Sequence, residues 1–101
     1  MRHVVIFKYK RGTTEEQIRQ VTDAFRELKN RIPGIVSFEY GMNNSLEGKD
    51  LGFTHVYQLT FEDGKARDAY LPHPEHKKFV ESLRQLGILE DVFVVGYVPK
   101  N

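Results

Sequence analysis

The chain has 101 residues, 40% of them hydrophobic and 29% charged, and fifteen Lys and Arg balance fourteen Asp and Glu to leave a formal net charge of +1. That length suits one domain spanning 1–101, and the even charge carries no electrostatic footprint for nucleic acid. The absence of cysteine excludes disulfides, thiolate metal sites and thiol catalysis.

Residues 3–9 (HVVIFKY) read as a first strand, a short apolar run flanked by basic residues. Gly12 and Thr13 make a turn, and Thr14 followed by Gln17 has the spacing of a capping box that opens a helix. Across 15–32, Ile18, Val21, Phe25, Leu28 and Ile32 recur every three or four residues and form one apolar stripe; Pro33-Gly34 ends the helix. A second strand is predicted over 35–42 (IVSFEYGM), then a polar connection, then a third strand over 53–61 (FTHVYQLTF). In that third strand, parity sets Phe53, His55, Tyr57, Leu59 and Phe61 on one face.

A short helix follows from 63 to about Tyr70, stopped by Pro72, and a further helix begins at Pro74 with His73 near its N-cap and ends near Gly87. The last strand is predicted over 91–98 (DVFVVGYV). The order β-α-β-β-α-β defines an α+β class, a ferredoxin-like four-stranded antiparallel sheet with its helices on one face.

One face of that sheet is left without helices, yet its strands are apolar on both sides. Val4 and Ile6 point away from His3, Val5 and Phe7, and Phe93, Val95 and Tyr97 point away from Val92 and Val94; Phe38 and Val56 are expected to extend the open face. Leaving such side chains in water forgoes about 1.5–3 kcal/mol each relative to burial. A homodimer formed through the open sheet face is the expected remedy.

Chemistry is concentrated in four histidines and one tyrosine. His3 and His55 share the parity of the core residues. Tyr70-Leu-Pro-His73-Pro-Glu-His76 sets a phenol and two imidazoles at the helix break. If the helices cover that sheet face, Tyr70, His76, His55 and His3 are expected to surround one pocket, with Phe7, Val21, Phe25, Tyr57 and Phe79 as its apolar, substrate-binding wall. An imidazole titrating near neutrality can remove a proton, and a tyrosine hydroxyl can steady a developing oxyanion, so the catalytic pair expected is His76 and Tyr70, without cofactor. The competing reading is that these are buried histidines satisfied by ordinary partners. A metal site is not expected, because His73 and His76 stand three apart rather than four and no further ligand has a specific spacing.

His3-Val-Val-Ile-Phe-Lys8, Ile32-Pro-Gly-Ile35, Gly52-Phe-Thr-His55, Phe61 and Tyr70-Leu-Pro-His73-Pro-Glu-His76-Lys-Lys-Phe79 together resemble the stress-responsive A/B-barrel (Dabb) domain family over nearly the whole chain. The resemblance implies a ferredoxin-like fold and a dimeric α+β barrel. It further implies, from a plant polyketide cyclase of the family that performs an aldol condensation without cofactor, that Tyr70 and His76 are catalytic, with His3 and His55 near the site. The first helix departs from that enzyme. Thr22 and Arg26 stand where apolar residues would line an alkyl tunnel, which favours a smaller or more polar carbonyl or phenolic ligand. Two rivals remain: a non-catalytic stress or structural assembly protein, and a cofactor-free monooxygenase-like enzyme, the latter disfavoured by the absence of tryptophan. No run approaches a membrane span and the N-terminus lacks the pattern of a signal peptide, so a cytoplasmic protein with neither membrane nor nucleic-acid partner is expected.

Overall fold

A computed structural model describes residues 1–100. Its elements are β1 (Arg2–Tyr9), α1 (Glu15–Arg31), β2 (Ile35–Met42), β3 (His55–Phe61), α2 (Gly64–Tyr70), α3 (Pro74–Leu86) and β4 (Leu89–Tyr97). The strands form one antiparallel sheet in the order β2-β3-β1-β4, the ferredoxin-like arrangement.

Local chemistry fixes the ends of the helices. Thr14 Oγ1 accepts from the Gln17 amide at 3.1 Å while Gln17 Oε1 accepts from the Thr14 amide at 2.9 Å, closing the capping box that opens α1. Glu15 and Glu16 lie at the positive end of the helix dipole, Lys29 and Arg31 at the negative end. The stripe Val21, Phe25, Leu28 and Ile32 is buried. At its end the chain turns through Gly34, whose φ of 92° is left-handed and whose Cα faces α2 so closely that an added Cβ would stand 2.7 Å from Ala66 Cβ.

The core is a column of aromatic rings between sheet and helices. Phe25 is stacked on Tyr57 at 5.1 Å and meets Phe38 at 5.5 Å and Phe79 at 4.8 Å, so one α1 residue joins β2, β3 and α3.

Two side chains lie on faces opposite to those expected. Phe38 pairs with Leu59 and so faces the helices rather than the open side. The extra residue that shifts the β2–β3 register between Ile35 and Ser37 contributes to this arrangement. Phe53 is not part of β3. Its amide closes a turn onto the Asp50 carbonyl at 2.9 Å, and its ring meets Phe93 edge-on at 5.2 Å, under the Lys8 ammonium at 4.9 Å. Alternation holds only within a strand, and the tight turn through Gly52 breaks it.

The helix-free face carries Val4, Ile6, Val56, Phe93, Val95 and Tyr97. Val4 pairs with Val95, and Ile6 with both Phe93 and Val56. Phe93 and Tyr97 are each 46% exposed. On the other face the helices stop short of β4, so Val92 and Val94 also remain exposed and floor a cleft.

Candidate active site

The cleft lies between β1 and β4 on one side and α2 and α3 on the other, with a volume of about 780 Å³. Its position follows from the helix break. α2 ends at Tyr70, Pro72 forbids continuation, and His73 caps the next helix by accepting from the Glu75 amide at 3.1 Å through Nδ1. That role removes His73 from the candidate chemistry. The break leaves the Leu71 carbonyl without a helical partner, and His76 Nδ1 donates to it at 2.9 Å. A carbonyl only accepts, so Nδ1 carries a proton, and in the neutral ring the lone pair is on Nε2.

The His76 ring lies 4.3 Å from the Tyr70 ring, and Tyr70 lies 5.8 Å from His3. All three line the cleft. Tyr70 is 1% exposed, and burial raises the pKa of its hydroxyl, so it remains a protonated donor. His3 is also buried, and its Nδ1 has no hydrogen-bond partner among the described residues. Its pKa is lowered, first by burial, then by the Arg67 charge and, whenever His76 is protonated, by that ring too, so His3 is held neutral. An unpartnered buried nitrogen is costly to a fold, and this one is shut off from solvent although the His3 ring lines the cleft. Phe7, Phe25 and Phe79 form the apolar wall.

Three predicted residues lie outside the cleft. Val21 is packed in the core. Tyr57 is fully buried, its hydroxyl 2.8 Å from Thr22 Oγ1 and 2.9 Å from the Tyr9 hydroxyl. His55 lies opposite Phe7, at the far end of the sheet from His3. There its ring meets Tyr9 edge-on at 4.9 Å and stacks with Tyr40 at 6.1 Å, and Nδ1 is 2.7 Å from Thr54 Oγ1. It lines a separate depression of about 630 Å³ with Thr22, Arg26, Tyr40 and Met42. Thr22 and Arg26 therefore face this depression and leave the cleft's walls apolar. The cause is strand direction: His3 and His55 each begin a strand, β1 and β3 are antiparallel, and the two ends are necessarily apart.

Among the cleft residues that escaped the sequence reading, Arg67 and Gly96 stand out. Arg67 precedes Tyr70 by one helical turn and shares its face, a spacing readable in advance. Gly96, opposite His3 on β4, interrupts an apolar strand, the usual mark of a close approach. No group of three or more His, Cys, Asp or Glu that could hold a metal gathers among the described residues.

Fold and site thus define a class: a ferredoxin-like sheet whose helix break sets an imidazole and a phenol over an apolar cleft. The chain belongs to the stress-responsive A/B-barrel domain family, whose model matches residues 1–99. It is 32% identical over 101 residues to the stress-response A/B barrel domain-containing protein HS1 of Arabidopsis thaliana, all of this chain and 91% of that protein. It is 27% identical to olivetolic acid cyclase of Cannabis sativa, over all of this chain and 98% of the cyclase. Among solved structures, the hydroxynitrile lyase of Passiflora edulis is 25% identical with a TM-score of 0.86, covering 98% of this chain and 92% of the lyase. A dimeric ferredoxin-like protein of unknown function from Jannaschia sp., 24% identical with a TM-score of 0.76 over 93% of each chain, shares the fold.

Proposed function

We propose that the chain is a homodimer, joined through the open sheet face, in which each subunit's cleft works as a cofactor-independent lyase or cyclase on a small carbonyl compound. His76 Nε2 takes a proton from the carbon beside the carbonyl, and the electron pair moves onto the carbonyl oxygen. Tyr70 donates a hydrogen bond to that enolate oxygen, and neutral His3 orients the ligand from the floor. The enolate carbon then attacks a second carbonyl, or in reverse a carbon–carbon bond opens, and His76 returns the proton.

The observation that carries this reading is the commitment of His76 Nδ1 to the Leu71 carbonyl, which leaves Nε2 as a base beside a protonated phenol. The names of the two relatives, a cyclase and a hydroxynitrile lyase, support an activity of this class. The apolar open face supports pairing with a second copy.

Exchange of the α-protons of 4-phenyl-2-butanone and 4-phenyl-2-oxobutanoate for deuterium, followed by proton NMR in D₂O, tests the chemistry. His76→Ala is expected to lower the enzyme-dependent rate by roughly 10²–10⁴-fold and Tyr70→Phe by roughly 10²–10³-fold. Equal rates in wild type and both variants would refute it.

A further inference from the structure

Arg67 is the one cation placed beside the candidate catalytic groups, and its surroundings give it no structural partner inside the cleft. It leaves the same face of α2 as Tyr70 and reaches across to β4. A Cβ on Gly96 would come within 2.9 Å of one of its terminal nitrogens, so the missing side chain is the space that the guanidinium occupies. Gly96 pairs with His3, which sets the charge over the strand pair that floors the site. Nε donates to Asp68 Oδ1 at 2.8 Å. That carboxylate is on the outer surface, 69% exposed, where an ion pair is worth little, but it fixes the plane of the guanidinium and leaves the terminal N–H groups free. No aspartate or glutamate lines the cleft, and its other two cations, Lys10 and Arg84, stand at the end near Gly87 and Leu89. Arg84 is already engaged by Glu81.

We infer that Arg67 is the anion-binding group of this cleft and that its ligand is an apolar-bodied carbonyl compound bearing a carboxylate near the reacting carbonyl. The inference rests on the proposed carbonyl chemistry and narrows its substrate class. The carboxylate would take the terminal N–H groups of Arg67 in a forked pair. The carbonyl oxygen would then lie towards Tyr70, and the apolar body along Phe79, Leu83, Val92 and Val94. A guanidinium in a partly dry cleft favours an anion strongly, because its geometry matches the carboxylate and solvent competes poorly there.

Two probes that differ only by carboxylate against methyl, 4-phenyl-2-oxobutanoate and 4-phenyl-2-butanone, test this by NMR titration. Wild type is expected to bind the keto acid roughly tenfold or more tighter than the ketone. Arg67→Gln should abolish that preference, and Arg67→Lys should restore part of it. Gly96→Ala supplies a second route, since its added methyl displaces the guanidinium without deleting it and should also narrow the ratio. Equal affinity for both probes in wild type, no detectable binding of the keto acid, or a preference unchanged by Arg67→Gln and Gly96→Ala would overturn the inference. Deuterium exchange in the same samples separates the two proposals. An Arg67-dependent preference without His76-dependent exchange keeps the anion site and removes the acid–base reading. Exchange without preference does the reverse.

Discussion

His3 and His55 are neutral residents of a folded interior, and this gives the protein a defined response to acid. Burial lowers the pKa of both, with the Arg67 and His76 charges adding to the effect at His3. In the unfolded chain each returns to the ordinary histidine value of 6.5, so below that pH the unfolded state binds more protons than the native state. Stability is therefore complete above pH 6.5 and declines as the pH falls towards the lowered native values. Urea midpoints measured at pH 7.5 and 5.5 should fall with acid, and the fall should be smaller in His3→Phe. An equal fall in that variant would mean that His3 titrates normally. At this scale the sequence disclosed residue types and faces but not positions along a strand. Parity correctly grouped His3 with Val5 and Phe7, yet said nothing of which sheet end His55 occupies. Antiparallel direction decides that, and it was available once the topology had been derived.

Among the elements, the helix break at Leu71–His73 positions the site, and the turn between α1 and β2 seats α2 beneath it. Gly34 is the point where both requirements meet, a left-handed backbone and no room for a methyl against Ala66. Gly34→Ala should cost about 1–2 kcal/mol for the backbone alone, and more from the displaced α2, read as a lower urea midpoint. Because α2 carries Tyr70 and Arg67, the same variant should weaken ligand binding more than a distant substitution of equal cost. A variant as stable as wild type would show that neither the backbone nor the contact with Ala66 constrains this position. Helix and strand boundaries were legible to within two residues because caps, prolines and periodicity are local signals. The faces of Phe38 and Phe53 were not, since a register shift and a tight turn through Gly52 reset the alternation without altering the sequence pattern.

For the whole molecule, the open face is the surface that the proposed homodimer would cover. Val4, Ile6, Phe93, Val95 and Tyr97 form one apolar surface across β1 and β4, and burying it against a second copy recovers about 1.5–3 kcal/mol per side chain. Wild type should sediment at twice the chain mass at micromolar concentration. Phe93→Asp should sediment as a monomer while keeping its far-ultraviolet circular dichroism. A wild-type monomer would remove the explanation for strands that are apolar on both sides. The apolar character of the open face was readable from composition by strand face, whereas the shape of the cleft was not. It arises because the helices stop short of β4, a matter of packing that no short-range pattern encodes.

Long-range proton–nitrogen NMR of the protein labelled at histidine reads all four imidazoles at once and tells which of them share the cleft. His76 should show the Nδ1–H tautomer at pH 7.5, with His3 neutral. Titration with 4-phenyl-2-oxobutanoate should shift the His76 and His3 ring nitrogens together while those of His55 and His73 stay in place. Movement of His55 with His76 and His3 silent would contradict the site described here.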